Sequence, residues 1–306
     1  MNKKLSGILK IFISLILIII LLTRIDLVEV LNLFLGANVF YLLVVVFLFL
    51  LSLIIGGLSL YVFFLRTLTF KEFFLGFFKS WAYGFLLPGK MGDFSISYFF
   101  RDKVKMGQSN AYVAINKMVT LVITFVFVLI LSIFQYFQFL NLIIFVFAIL
   151  LIIFSIVGLF LRNKKLIKLN NFLEKYSFGF LKGFRSTFFD WRNNCVAIFS
   201  SCLLSVIRYL VLTITYVLIL MSIGYQVDFW ILFGALLIAT VISIIPVTVG
   251  GTGLRENTFV QFLVIMGYAA NYVASAILFV MVLKYLLVGL IILTNLFKKE
   301  KRGCNE

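Results

Sequence analysis

The chain has 306 residues, 64% of them hydrophobic and 12% charged, with a mean hydropathy of +1.19. That balance excludes a soluble globular domain, and long apolar runs recurring from end to end make the fold class an all-α polytopic membrane protein. Lys and Arg number 27 against 11 Asp and Glu, but the surplus clusters in particular loops, so the positive-inside rule accounts for it without nucleic acid. Histidine is absent, which excludes His-based catalysis. Cys195, Cys202 and Cys304 match no metal or disulfide spacing, so no metal site and no cofactor is expected.

A short basic start leads into an apolar run at 11–22. Thr23-Arg24-Ile25-Asp26 offers no small-residue cleavage pattern, so the run is kept as a first span rather than a signal peptide. Residues 24–38 read as a connection with balanced charge. Residues 39–65 form a strong second span, with Gly56 and Gly57 suited to close helix packing.

Residues 73–87 are apolar but short and carry Lys79; they end in Pro88-Gly89-Lys90-Met91-Gly92-Asp93. Residues 94–100 are apolar again, and basic residues flank the unit at both ends. Ends of like charge bias belong on one side of the membrane, so 70–100 reads as a re-entrant hairpin with residues 88–93 at its tip. Two short ordinary spans are the alternative reading.

Spans follow at 111–134, with Asn116 and Lys117 near the start, and at 139–161. In the basic stretch 162–194, apolar residues recur every three or four positions from Leu166 to Phe188. That pattern predicts an amphipathic helix on the inner leaflet, or a solvated connector with some apolar packing. A long span at 195–223 carries Arg208, and the loop 224–228 has no Lys or Arg. Residues 229–245 enter the membrane, residues 258–266 leave it, and 272–297 is the last span, with Lys284 inside it. The expected organisation is one integral membrane domain: a first half at 1–161, a connector at 162–194, a second half at 195–297 and a basic tail at 298–306. It holds about six full spans and two broken or re-entrant hairpins.

Between 245 and 258 stands Pro246-Val247-Thr248-Val249-Gly250-Gly251-Thr252-Gly253-Leu254-Arg255-Glu256. Proline removes a backbone donor and glycines favour bends, so no regular helix crosses here. Broken backbone within a membrane survives only inside protein or beside a watery cavity, and ionisable groups at that depth point to function. Each broken unit carries Pro, then glycines, then a carboxylate with a basic neighbour, and the two have opposite flanking charge. That is the pattern of an inverted-repeat transporter, with coincidence between two short motifs as the alternative.

The stretches 88–93 and 246–256 resemble the two signature motifs of the lysylphosphatidylglycerol synthase transmembrane, or flippase-like, family, and the resemblance covers nearly the whole chain. It implies site residues at Pro88, Gly89, Lys90, Gly92 and Asp93, and at Pro246, Gly250, Gly251, Gly253, Arg255 and Glu256. It matches Arg208 and Lys284 to basic residues kept in the membrane. The family usually has Arg at the place of Lys90, Glu at that of Asp93, a proline at that of Val249, and an acidic-basic pair where Asn116-Lys117 stand.

A cavity lined by Lys90, Lys117, Arg208, Arg255 and Lys284, partly neutralised by Asp93 and Glu256, would suit an anionic headgroup such as phosphatidylglycerol or a polyprenyl phosphate. The same residues have plainer readings: Arg208 and Glu256 as a structural ion pair, Lys117 and Lys284 snorkelling to the interface, the glycines for packing alone. The expected function is a translocator of an anionic lipid or lipid-linked envelope intermediate in the cytoplasmic membrane, with both termini in the cytoplasm and envelope-biosynthesis enzymes as partners. The alternative is a non-catalytic membrane subunit of a lipid-modifying or glycan-assembly system. The aminoacyl-transferring relatives carry a soluble catalytic domain after the membrane part, so no intrinsic transferase activity is expected of a chain ending at Glu306.

Overall fold

The computed structural model describes residues 3–23, 25–84, 94–134, 183–190, 194–243, 248 and 253–303, which form helices and turns with no strand among them. The helices are α1 Lys3–Thr23, α2 Leu27–Leu35, α3 Val39–Tyr61, α4 Phe70–Gly84, α5 Ile96–Phe99, α6 Met106–Phe134, α7 Phe184–Asp190, α8 Cys195–Ser222, α9 Phe229–Ile242, α10 Leu254–Ile265 and α11 Ala270–Gly303. Asx side chains set several starts. Asp26, Asn38, Asn194 and Asp228 accept from backbone N–H groups in the first turns of α2, α3, α8 and α9. In the apolar layer hydroxyls have no water to bond. Thr120, Thr124, Thr213, Thr215 and Thr240 therefore donate to the carbonyl four residues back.

Four of these helices, α3, α6, α8 and α11, are long and apolar enough to cross a membrane. α1 adds 21 residues, beginning well before the apolar run at 11–22. The expected span at 139–161, and most of the amphipathic helix expected at 166–188, lie outside the described residues. α4, α9 and α10 have 15, 14 and 12 residues. At a rise of about 1.5 Å they reach roughly 18–23 Å, short of a hydrocarbon layer about 30 Å thick.

The bases of the short helices show that they are hairpins. Lys103, just before α6, donates to the Glu72 carboxylate in the first turn of α4, so both ends of the first unit share one face. The Ser80 and Ser95 hydroxyls, 2.7 Å apart, join its two arms. In the second unit Tyr268 Oη accepts from Asp228 N at 3.3 Å, and Tyr225 Oη accepts from Ala269 N at 2.8 Å. Tyr225 stacks on Tyr272 with centroids 4.4 Å apart. The start of α9 and the end of α10 therefore meet on one face as well.

The faces are opposite. α3 and α8 run antiparallel: Asn38 N donates to Ser222 O at 2.9 Å at one end, and the Ser59 hydroxyl lies 3.1 Å from those of Ser201 and Ser205 toward the other. The end at Ser222 leads into the second hairpin, and the end at Tyr61 leads into the first. The first face carries Arg66, Lys71, Arg101, Lys103 and Lys105 and is called the basic face; the other carries Asp26, Glu29 and Asp228. Element packing is largely preserved when the halves are exchanged. α3 packs on α4 as α8 packs on α9, α5 on α6 as α10 on α11, α4 on α11 as α9 on α6, and α3 on α6 as α8 on α11. This exchange is what an inverted repeat built on the two short motifs requires of the helix packing.

Two cores follow from this plan. One surrounds the second hairpin with Tyr216, Leu232, Phe233, Leu236, Phe259 and Leu263. The other, on the basic face, is largely aromatic, with Phe63, Phe64, Phe73, Phe74, Phe100 and Tyr112. Missing side chains permit the close approach: a Cβ on Gly57 would meet Phe74 Cε1 at 2.8 Å, and one on Gly76 would meet Phe100 Cε1 at 2.1 Å. Residues 24–38, expected as a plain connection, contain α2. Its exposed Val28, Leu31 and Leu35 face outward, while Asn271 ties it to α11 by accepting from Asp26 N and donating to Glu29.

Single cysteines replacing Lys71 and Lys105 should label from one side of sealed vesicles, and those replacing Gly224 and Gly267 from the other; labels at 71 and 105 from opposite sides would exclude the first re-entrant unit. The clamp at its base should also respond to acid. The Lys103 ammonium, then the Thr69 N–H and hydroxyl, hold the Glu72 carboxyl below its ordinary value. A depressed carboxyl pKa means the clamp contributes fully above the ordinary carboxylate range and is lost as pH falls through the lower folded value. Amide hydrogen exchange of residues 70–75 should accelerate only there, and Glu72→Gln should abolish that step.

Candidate functional site

The second hairpin breaks where α10 begins. Gly253 has φ +85°, a conformation that L side chains rarely adopt, and a Cβ there would meet Leu17 Cβ at 3.0 Å and Ser14 O at 3.1 Å of α1. The first N–H groups of a helix have no partner of their own and, inside a membrane, no water to supply one. The Glu256 carboxylate supplies it: Oε2 accepts from Gly253 N at 2.7 Å. This is the carboxylate half of a capping box, since glycine has no side chain to reciprocate. Asn257 Nδ2 donates to Gly253 O at 2.8 Å and to Leu17 O at 2.6 Å, fastening α1 across the break.

Glu256 is 4% exposed. A buried carboxylate costs several kcal/mol unless charge and hydrogen bonds compensate it, and the N-terminal end of α10 supplies part of that compensation. Cations supply more: Arg255 and Glu256 both lie within electrostatic reach of Lys284 on α11 and of the Tyr216 hydroxyl on α8. Tyr216 packs its ring on Phe259 at 4.9 Å. Arg255 Nε is buried with no hydrogen-bond partner among the described residues, and so is Thr248 Oγ1. Buried donors of this kind are uncommon in native proteins and call for a partner.

Arg208 occupies a second place on α8. A Cβ on Gly56 of α3 would stand 3.0 Å from its Nε and 3.1 Å from its Cζ, so the missing side chain provides the room for the guanidinium. Its Nε too is buried and unpartnered among the described residues. The structural ion pair between Arg208 and Glu256 is not formed; the described ion pairs are Arg101–Asp102 and Lys103–Glu72, both near the basic face. One turn away, Asn116 Nδ2 donates to Ser59 Oγ at 2.8 Å and Ser201 Oγ at 3.0 Å, tying α3, α6 and α8 together. Lys117 lies on the exposed side of α6, while Asn116 turns inward.

Gly253, Arg255, Glu256 and Lys284 are thus brought together, while Arg208 sits on α8 against Gly56 of α3, about two turns from Tyr216. Pro88, Gly89, Lys90, Gly92 and Asp93 of the first motif, and Pro246, Gly250 and Gly251 of the second, lie outside the described residues. Sequence reasoning missed Asn257, Tyr216 and the hydroxyl junction. Asn257 had a signal, standing four residues after the last glycine of the motif; the junction serines, 142 residues apart and more, had none.

Gly253→Ala should destabilise the protein by about 2–4 kcal/mol, from backbone strain plus overpacking against α1. Gly289→Ala, with nothing within 4 Å of its Cβ, should be neutral or stabilise α11 by up to about 1 kcal/mol. Thermal unfolding of both variants in detergent checks the pair.

The described arrangement can hold an anion: Arg255, whose Nε has no partner among the described residues, and Lys284 stand at a helix break within an apolar bundle. Comparison with known families agrees with a lipid-related membrane domain, since the sequence model of the lysylphosphatidylglycerol synthase TM region matches residues 7–292. No match is found among curated proteins or among solved structures. With its helices matched from α1 into α11, the chain belongs to the lysylphosphatidylglycerol synthase TM region family.

Proposed function

We propose that the protein moves the headgroup of an anionic lipid, phosphatidylglycerol or a polyprenyl-phosphate-linked envelope intermediate, across the cytoplasmic membrane. The observation that carries this reading is the pair of hairpins entering from opposite faces, the second ending at a break where Arg255 Nε is buried without a partner among the described residues. A headgroup phosphate would accept from Arg255 and Arg208, with Lys284 adding charge and Glu256 keeping the break ordered. Movement of each hairpin against its own face would expose this region to one leaflet at a time while the acyl tails stay in lipid. The positive-inside rule makes the basic face cytoplasmic and puts both termini there. This reading assigns the chain no bond-making chemistry, and its partners are the lipid, the bilayer and envelope-biosynthesis enzymes. The family's name favours one second reading, a non-catalytic subunit of a lipid-modifying enzyme system.

Translocation of fluorescent phosphatidylglycerol, its lysyl ester and a polyprenyl phosphate in proteoliposomes tests the proposal. Wild type should move one of them. Arg208→Ala should slow that lipid by about tenfold or more, the worth of one charge-assisted hydrogen bond. Glu256→Gln, which keeps an oxygen to cap Gly253 but removes the countercharge, should slow it as well. No movement of any lipid by folded wild-type protein would favour the subunit reading.

A further inference from the structure

A second polar place lies apart from the hairpin break. On the basic face, between α4 and the turn from α5 to α6, a cleft of about 230 Å³ is walled by Leu75, Phe99 and Phe100. Charged groups line it as well: Glu72, Lys79, Asp102 and Lys103. Three of them are paired locally. Lys103 donates to Glu72, and Asp102 lies 3.7 Å from Arg101 Nε. Lys79 is half-buried and has no ion-pair partner among the described residues. The cleft therefore has an apolar wall, a clamped rim and one cation outside the ion pairs of the described residues.

Position sharpens the reading. Lys79 follows Phe70 by nine residues on α4, about 14 Å along the helix axis. The Glu72–Lys103 rim stands nearer the face. Phe100 lies across Gly76, where a Cβ would meet its ring at 2.1 Å, so the aromatic wall sits one turn below Lys79. A lipid surrounding the protein keeps its headgroup at the level of the rim. A headgroup that reaches Lys79 has already left that level.

We infer that this cleft is a binding site for the phosphate of an anionic amphiphile, with Lys79 as its ligand, and that it receives a lipid of the cytoplasmic leaflet before transfer. The assignment of leaflet and transfer rests on the translocator reading; the binding itself does not. The apolar wall suits acyl chains, which a lipid has and a free phosphate ester lacks, and the volume admits a headgroup rather than a whole lipid.

The test uses the full chain in detergent with Cys195, Cys202 and Cys304 replaced by alanine and Leu75→Cys as reporter. Leu75 lines the cleft and is 53% exposed. Short-chain phosphatidylglycerol should slow maleimide labelling at position 75, and short-chain phosphatidylcholine should not. Lys79→Gln should raise the concentration for half-protection about tenfold, the loss of one charged contact, and Lys79→Arg should restore it. Equal protection by phosphatidylcholine, or an unchanged response in Lys79→Gln, would overturn the site. Protection by glycerol 3-phosphate at the same concentration as by the lipid would overturn its assignment to an amphiphile. If phosphatidylglycerol protects but no lipid is translocated in proteoliposomes, the site stands and the translocator reading falls.

Discussion

A peptide group inside a membrane has no water to bond, and this constraint orders the whole molecule. An unbroken helix satisfies it automatically; a helix that stops halfway does not. The second hairpin stops halfway at Gly253, and its structure there is a set of answers to that one problem. Glu256 takes the Gly253 N–H, Asn257 takes its carbonyl, and α1 closes the side with Leu17 and Ser14. Charge follows from the same constraint. A carboxylate placed to serve a backbone donor needs cations near it, and Arg255 and Lys284 are there.

The arrangement also separates two duties that one residue was expected to combine. Glu256 reads from sequence as a substrate group or an ion-pair partner for Arg208. In the structure its first duty is to the backbone, and Arg208 is held instead by the absence of a side chain on α3. The Arg255 Nε at the break is therefore left without a hydrogen-bond partner among the described residues. Holding one carboxylate for structure while leaving guanidinium donors open is what an anion site within an apolar bundle requires.

Much of the fold was legible in the sequence, because apolar run length reports directly on whether a helix can cross. The runs around 73–87 and 229–245 were too short, and their flanking charge already separated the two faces. What escaped reading was long-range or local in a different way. α2 is capped by Asp26 and has Glu29 three residues after the cap, a pattern hidden within a stretch that looked merely balanced in charge. α10 begins four residues earlier than the apolar run read as leaving the membrane, since Leu254 and the polar Arg255, Glu256 and Asn257 are already helical. The hydroxyl junction of Ser59, Asn116, Ser201 and Ser205 could not be read, because nothing in a serine's neighbours along the chain says which helix it will meet. Lys117 was legible both as a cavity cation and as a side chain snorkelling to the interface, and the structure puts it on the exposed side, one residue of helical rotation from inward Asn116.

The seat of Arg208 has a mechanical side. Its guanidinium rests in a notch on α3 that exists only at Gly56. One turn along the same face of α3 stands buried Ser52 in one direction and buried Leu60 in the other. A slide of α3 against α8 by one turn, about 5.4 Å, would exchange the glycine for a hydroxyl or for a branched apolar side chain. The notch is thus a detent with unequal shoulders, and the charge itself is the ball that rides in it.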